Sequence, residues 1–198
     1  MSTFFYKYFM THFPIKMKPN IDLSLDNSIV EYDNVITKDM ADSIIQFALN
    51  DDSFHRRGSK NAVTKASFTT CLLYDLTHPA YDVLDKVWKI FTDEHGYSLD
   101  FIEYYEIKEY RTGDSFGMHM DSHGSTNLNP DRKLNLIVQL SESEDYEGGD
   151  LYIKMHHATR NIGSAIFFPP HYLHAVTEIT SGTRYCIIGH GWGVLNRK

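Results

Sequence analysis

From Ser98 onward the chain is a succession of short apolar segments: FIEYYEIKEY, SFGMHMD, LNLIVQL, DLYIKM, SAIFF, HAVTEI and RYCIIGHGW. Gly113, Gly124, the pair Gly148 and Gly149, Gly163 and Gly182 stand at the breaks between them. Segments of this length, rich in β-branched and aromatic residues and bounded by turn formers, read as strands. So many short strands in a row must bury one another's faces, which restricts the architecture to a closed or double-layered β fold.

The first half has a different texture. Residues 1–20 are aromatic-rich and end in KMKPN, reading as an N-terminal arm. SIVEYDNV, from Ser28 to Val35, predicts a first strand. Thr37 is placed to cap a helix, TKDMADSIIQFALN, whose Met40, Ile44, Ile45 and Ala48 recur at helical spacing. The polar stretch from Asp51 to Thr70, with Gly58 and paired Arg56 and Arg57, reads as a loop. A second helix is predicted from about His78 to Glu94, burying Leu84, Val87, Trp88 and Phe91 and stopped by Gly96. Together these predict an α+β, mainly β fold: a double-stranded β-helix, or jelly roll, with N-terminal helices packed on one sheet. Residues 21–198 are expected to form a single domain, with helices at about 37–96 and the jelly-roll core at about 98–193.

Bulk properties narrow the partners. A net charge of −7 and the lack of any Lys/Arg run argue against a nucleic-acid partner. The two cysteines, Cys71 and Cys186, form no C-x-x-C pattern, which excludes a disulfide scaffold and a zinc finger and fits a reducing compartment. Lys7 and His12 interrupt the apolar N-terminal residues, so no signal peptide is read there, and no segment has the apolar length of a membrane span. A cytoplasmic protein is expected.

The chemistry should lie in the strand half. His119 and Asp121 are two apart in SFGMHMD. On a strand they share one face, with Phe116, Met118 and Met120 on the other. An imidazole nitrogen and a carboxylate oxygen so placed can hold one cation, and a third ligand from elsewhere would complete a facial triad with open positions. The third ligand is sought in GSAIFFPPHYLHAVTEI, where His171 and His174 compete. His171 follows two prolines and belongs to the turn, whereas His174 opens the alternation His174, Val176, Glu178; His174 is preferred. His156, His157 and His123 read as solvated strand-end or loop residues, with His123 close enough to the pair to stand behind the ligands.

Ten positions after His174 comes Arg184, reached through Thr180-Ser181-Gly182-Thr183. Read as a hairpin, this turn would bring both side chains into the barrel. An inward guanidinium needs an anionic partner, and no acidic residue beside it offers one. The distal end of a dicarboxylate can accept a bidentate pair from it. Tyr110 could donate its hydroxyl to the same ligand. Asn135 and Gln139 share a face of LNLIVQL, and either contact that ligand or satisfy backbone groups.

In order along the chain stand Tyr110-x-x-Gly113, His119-x-Asp121, Arg132, Leu140, Glu147-Gly148-Gly149-Asp150-Leu151, Phe168-Pro169, His174-x-Val176 and Gly182-Thr183-Arg184-Tyr185. This set resembles the prolyl 4-hydroxylase-like branch of the iron(II)/2-oxoglutarate oxygenases. The wording VQLSESEDYEGGDL is similar to small hydroxylases of bacteria and their phages, which would place the protein in a host cytoplasm. The likeness covers about Phe101 to Gly193. It implies iron held by His119, Asp121 and His174, 2-oxoglutarate held at its far carboxylate by Arg184 with Tyr110 facing it, dioxygen as oxidant and ascorbate as reductant. It also implies hydroxylation of an unactivated C–H bond with release of succinate and CO2. A prolyl residue in a peptide or protein is the expected substrate. Two positions depart from relatives: Gln139 stands where several animal members carry tyrosine, and His190 where many carry tryptophan. Asp121 retains the carboxylate that halogenating relatives replace. Rival readings are an oxygenase acting on a free amino acid or other small molecule, and a non-catalytic metal-binding jelly roll.

Overall fold

The computed structural model describes residues 28–59, 66–73, 75–122 and 131–193; the arm at 1–20, His123 and most of the loop after it lie outside the described residues. Strand β1 (Val30–Tyr32) leads to helix α1 (Lys38–Leu49), strands β2 (His55–Ser59) and β3 (Ala66–Leu73), and helix α2 (Ala80–His95). Then follow β4 (Phe101–Ile102), β5 (Tyr105–Arg111), β6 (Ser115–His119), β7 (Asp131–Gln139), β8 (Tyr146–Gly148), β9 (Leu151–Ile153), β10 (His156–His157), β11 (Ala165–Phe168), β12 (His174–Val176) and β13 (Ile179–Gly193).

Both helices form where capping and periodicity call for them. The Thr37 hydroxyl accepts the Met40 amide at 3.2 Å, satisfying a donor that α1 leaves unpaired. Helix α2 ends at Gly96, whose φ of 69° closes the last turn at no Cβ cost. Its buried stripe is Leu84, Val87, Trp88 and Phe91. Trp88 meets Phe167 edge-on at 5.1 Å between ring centroids, and Phe91 stacks on the same ring at 4.2 Å.

The strands lie in the order β1-β11-β7-β13-β5-β3-β6-β12-β9-β10, each antiparallel to its neighbours. The run curls so that the half from β1 to β3 and the half from β6 to β10 face each other. Between them lie Phe68, Tyr110, Ile137, Ile153, Ile166, Phe168 and Val176. The helices cover the outer face of the larger half, over Leu134, Leu136, Val138, Phe167 and Ile187. This is the double-stranded β-helix with helices on one sheet that the sequence predicts.

Two local expectations are overturned. The stretch 51–70 is not simply a loop: β2 pairs with β3 from His55 opposite Thr70 to Ser59 opposite Ala66, and β3 continues onto β5. Its polar residues hide a strand because pairing, not apolar content, holds it. Buried Asp114 ties the hairpin down, accepting from Arg56 and, at 2.8 Å, from the Ser67 hydroxyl. Nor do residues 180–183 form a turn between two paired strands. They lie inside the fifteen-residue β13, where Gly182 stands opposite Tyr146 of β8. β12 pairs instead with β6 and β9. Gly182, at φ 77°, is required because a Cβ there would strike the Asp145 carbonyl, not because the chain reverses.

Candidate metal centre

His119 ends β6 and His174 opens β12, and the two Cα positions pair directly across the ladder. Asp121 lies just beyond β6, fixed by its amide donating to the Pro170 carbonyl at 2.8 Å. The three ligand atoms come within 4.8 Å of one another. His119 Nε2 is 3.5 Å from Asp121 Oδ1, and His174 Nε2 is 3.3 Å from Oδ2. The other ring nitrogens point to backbone carbonyls: His119 Nδ1 to Gly117 at 2.8 Å and His174 Nδ1 to Tyr172 at 2.9 Å. A carbonyl can only accept, so each Nδ1 carries the proton and each Nε2 presents its lone pair. Burial alone would raise the Asp121 carboxyl, but the two imidazole rings set against it outweigh burial and hold the group far below the usual carboxylate range. Two neutral nitrogens and a carboxylate converging on one point suit a divalent transition metal. His171 stays exposed in the turn that Tyr172 closes onto Pro169.

Behind Asp121 runs a buried polar chain. Asn135 donates to Asp121 Oδ2 at 2.8 Å and accepts from His190 Nδ1 at 2.9 Å. Asn135 thus orients the Asp121 carboxylate, a contact that the strand pattern alone left open. Burial, with the Arg132 charge second, lowers His190 to about 4, so it is neutral near pH 7 and donates through Nδ1.

Phe116 lies inside the site, against the expectation from strict alternation. Two steps along β12 match three along β6, from His174 opposite His119 to Val176 opposite Phe116. This bulge turns Phe116 to the ligand side, where its ring stacks on His119 at 3.8 Å. Met118 and Met120 remain on the outside, both about half exposed. His156 also departs from a free solvated residue, standing 2.8 Å from Glu31 Oε1.

The cavity at the triad is walled by Phe116, Ile137, Leu151, Phe168, Val176 and Ile188, with Lys108, Tyr110, Asn135 and His190 as its further polar groups. Arg184 is buried at 1% exposure, opposite Tyr110 on the β5–β13 ladder. It does not reach the cavity lining itself; Tyr110 does, with its ring centroid 5.5 Å from the guanidinium carbon. One Arg184 nitrogen donates to Gln139 Oε1 at 2.9 Å, while Nε and Nη1 have no hydrogen-bond partner among the described residues. Among the described residues Arg184 forms no ion pair. Gln139 also donates to the Thr159 carbonyl at 3.3 Å, so it is engaged on both sides. Burial holds the Tyr110 hydroxyl protonated, as a neutral donor. Two orphaned, buried guanidinium donors near a three-ligand centre fit a ligand that offers a metal-chelating end and a distal carboxylate.

Lys108 was passed over in the sequence, although it sits an even step from Tyr110 on a strand whose odd positions Tyr105 and Ile107 are apolar core. That alternation alone would have aimed it into the barrel.

Residues 105–192 match the model of the 2OG-Fe(II) oxygenase superfamily. A PKHD-type hydroxylase of Prochlorococcus marinus is 40% identical over 81 residues, covering 39% of this chain and 36% of that protein. One of Idiomarina loihiensis is 33% identical over 87 residues, 42% of this chain and 39% of its own length. The chain therefore aligns with well under half the length of these relatives. Among solved structures, the viral collagen prolyl hydroxylase of Paramecium Bursaria Chlorella virus-1, as its 2OG complex, superimposes with a TM-score of 0.67 at 17% identity, covering 83% of this chain and 95% of that one. A Pseudomonas putida prolyl-4-hydroxylase gives 0.66 at 13% identity, over 83% and 91% of the two chains. The Trichoplax adhaerens prolyl hydroxylase bound to a hypoxia inducible factor peptide fragment gives 0.64 at 14%, over 83% of each.

Proposed function

We propose that this chain, whose residues 105–192 match the 2OG-Fe(II) oxygenase superfamily model, is a prolyl 4-hydroxylase-like, iron(II)- and 2-oxoglutarate-dependent dioxygenase that hydroxylates a prolyl residue of a peptide or protein. Iron(II) with 2-oxoglutarate and dioxygen, when bound, supplies the oxidising power to place a hydroxyl on an unactivated C–H bond, with succinate and CO2 as co-products and ascorbate as reductant.

The chain's own part is position, charge and dryness. His119 and His174 present Nε2 lone pairs because their Nδ1 protons are spent on carbonyls. Asp121 is held by Asn135, and Asn135 by His190, so the carboxylate keeps its aim. Arg184, through Nε and Nη1, would hold the far carboxylate of 2-oxoglutarate, with the neighbouring Tyr110 as a further donor. Phe116, Ile137, Leu151, Phe168, Val176 and Ile188 keep water from the reacting centre. No side chain acts as a nucleophile or general base.

The observation that carries this reading is the pair of Arg184 donors, unpartnered among the described residues, behind Tyr110 on the wall of the cavity that holds the three candidate metal ligands. A metal-binding jelly roll without turnover has no use for them. Iron(II) and 2-oxoglutarate under air should yield slow succinate release, faster with a proline-containing peptide library in which mass spectrometry finds one added oxygen. No succinate, and no visible absorption band on adding 2-oxoglutarate to the anaerobic iron protein, would favour the binding module. A free amino acid or other small molecule is the second reading of the substrate; a buried cation on the cavity wall favours it.

A further inference from the structure

That cation is Lys108, which neither the metal nor the Arg184 contact employs. It lies on β5, 7% exposed, and lines the same cavity as His119, Asp121 and His174. Its Nζ stands 4.5 Å from the Phe68 ring centroid and 5.3 Å from that of Phe116, the ring stacked on His119. Its ion-pair partner among the described residues is Glu106, at 3.5 Å. That is longer than the roughly 2.7–2.9 Å of a charge-assisted hydrogen bond. An ammonium carries three donors. One buried with its carboxylate at this separation costs stability unless another acceptor completes the set.

Lys108 and Arg184 are separate stations. Lys108 pairs across the ladder with Cys186, and Arg184 with Tyr110. The two cations therefore occupy consecutive inward rungs of one wall, with Arg184 deeper and Lys108 open to the cavity. Arg184 has two donors for one carboxylate; Lys108 has a place for another.

We propose that Lys108 is a specificity-determining, carboxylate-binding residue of this site, distinct from Arg184. The carboxylate comes either from the prime substrate, as in a free amino acid or an acidic side chain beside the oxidised carbon, or from 2-oxoglutarate itself. The assignment rests on the oxygenase reading above.

Two arms separate the sources, using wild type, K108M, K108Q and K108R. In the first, calorimetry measures 2-oxoglutarate binding to the manganese(II)-loaded protein. In the second, the iron(II) protein is assayed for succinate release stimulated by the free L-amino acids and, in parallel, by their amides. A loss of at least about tenfold in 2-oxoglutarate affinity in K108M and K108Q, restored in K108R, assigns Lys108 to the co-substrate. Unchanged 2-oxoglutarate affinity, with an acid-over-amide preference in wild type that both neutral variants lose, assigns it to the prime substrate. Neutral variants that match wild type in both arms overturn the proposal. So does a failure of both to fold when K108R folds, because the charge would then serve the fold. A wild type that binds neither manganese nor 2-oxoglutarate would instead sink the oxygenase reading, a distinct result.

Discussion

The two faces of the large sheet are made from the same strands and do opposite things. On β7, Leu134, Leu136 and Val138 meet the helices, while Asn135, Ile137 and Gln139 turn into the barrel. On β5, Tyr105 and Ile107 face the helices, and Lys108 and Tyr110 the cavity. On β13, Ile187 packs outward under the helices, whereas Arg184, Cys186, Ile188 and His190 line or back the site. One side is carbon held by close packing; the other spends burial on charges and amides that the fold alone does not need. Loss on the first face should be felt as stability. Loss on the second should be felt as binding, with the fold little affected or even relieved.

The contrast can be broken first at the ligands. His119→Ala should weaken manganese(II) affinity by at least about a thousandfold, one of three ligands being gone, with the metal-free melting temperature barely moved. A collapse of the fold in that variant would mean that the two faces are not separable. Next comes the packed face, where Trp88→Ala should cost about 3–5 kcal/mol in urea unfolding, and the surviving folded protein should bind metal normally. The third test uses pH. His190 titrates near 4 in the fold and at its ordinary value when unfolded. Its contribution is therefore complete above about 6.5 and lost as pH falls towards 4, because the unfolded chain takes up the proton first. Metal-free wild type should lose roughly 3 kcal/mol more than His190→Gln over that interval. Equal slopes would place His190 in a far wetter setting than its 6% exposure indicates. Fourth, Arg184→Met should leave stability unchanged or raise it by about 1–2 kcal/mol while 2-oxoglutarate binding falls, a sign that no variant on the helix side should share. The smallest effect is Thr37→Ala, at about 1 kcal/mol, with the site untouched.

The sequence was most legible where one residue decides a local matter. Thr37 and Gly96 delimit helices through capping, and the α2 stripe follows from periodicity. His119 and Asp121 share a face by spacing, and His174 could be preferred to His171 because prolines assign the latter to a turn. What the sequence does not show depends on partners distant in the chain. The β2–β3 hairpin is held by pairing to β5, which polar residues 51–70 do not advertise. The β6 bulge, visible only against β12, moves Phe116 into the site. Gly182 resembles a hairpin glycine and is instead a point of close approach to Asp145. Asn135 is recognisable as an inward polar group, but its attachment to Asp121 joins residues 14 positions apart in the chain and has no local signal.

Strand β13 has a consequence for how the molecule opens. It lies between β7 and β5 and also meets β4 and β8, so its amides belong to the most enclosed ladder of the fold. β6 and β12, which bear the two histidines, are short; β12 pairs only with β6 and β9, and β6 meets the larger half only where Ser115 and Phe116 pair with β3. Hydrogen exchange should therefore proceed in two tiers: the Arg184–Ile188 amides exchange only when the whole chain unfolds, and those around His119 and His174 through lower-energy local openings. Metal would bolt shut the looser tier and leave the slower one as it is.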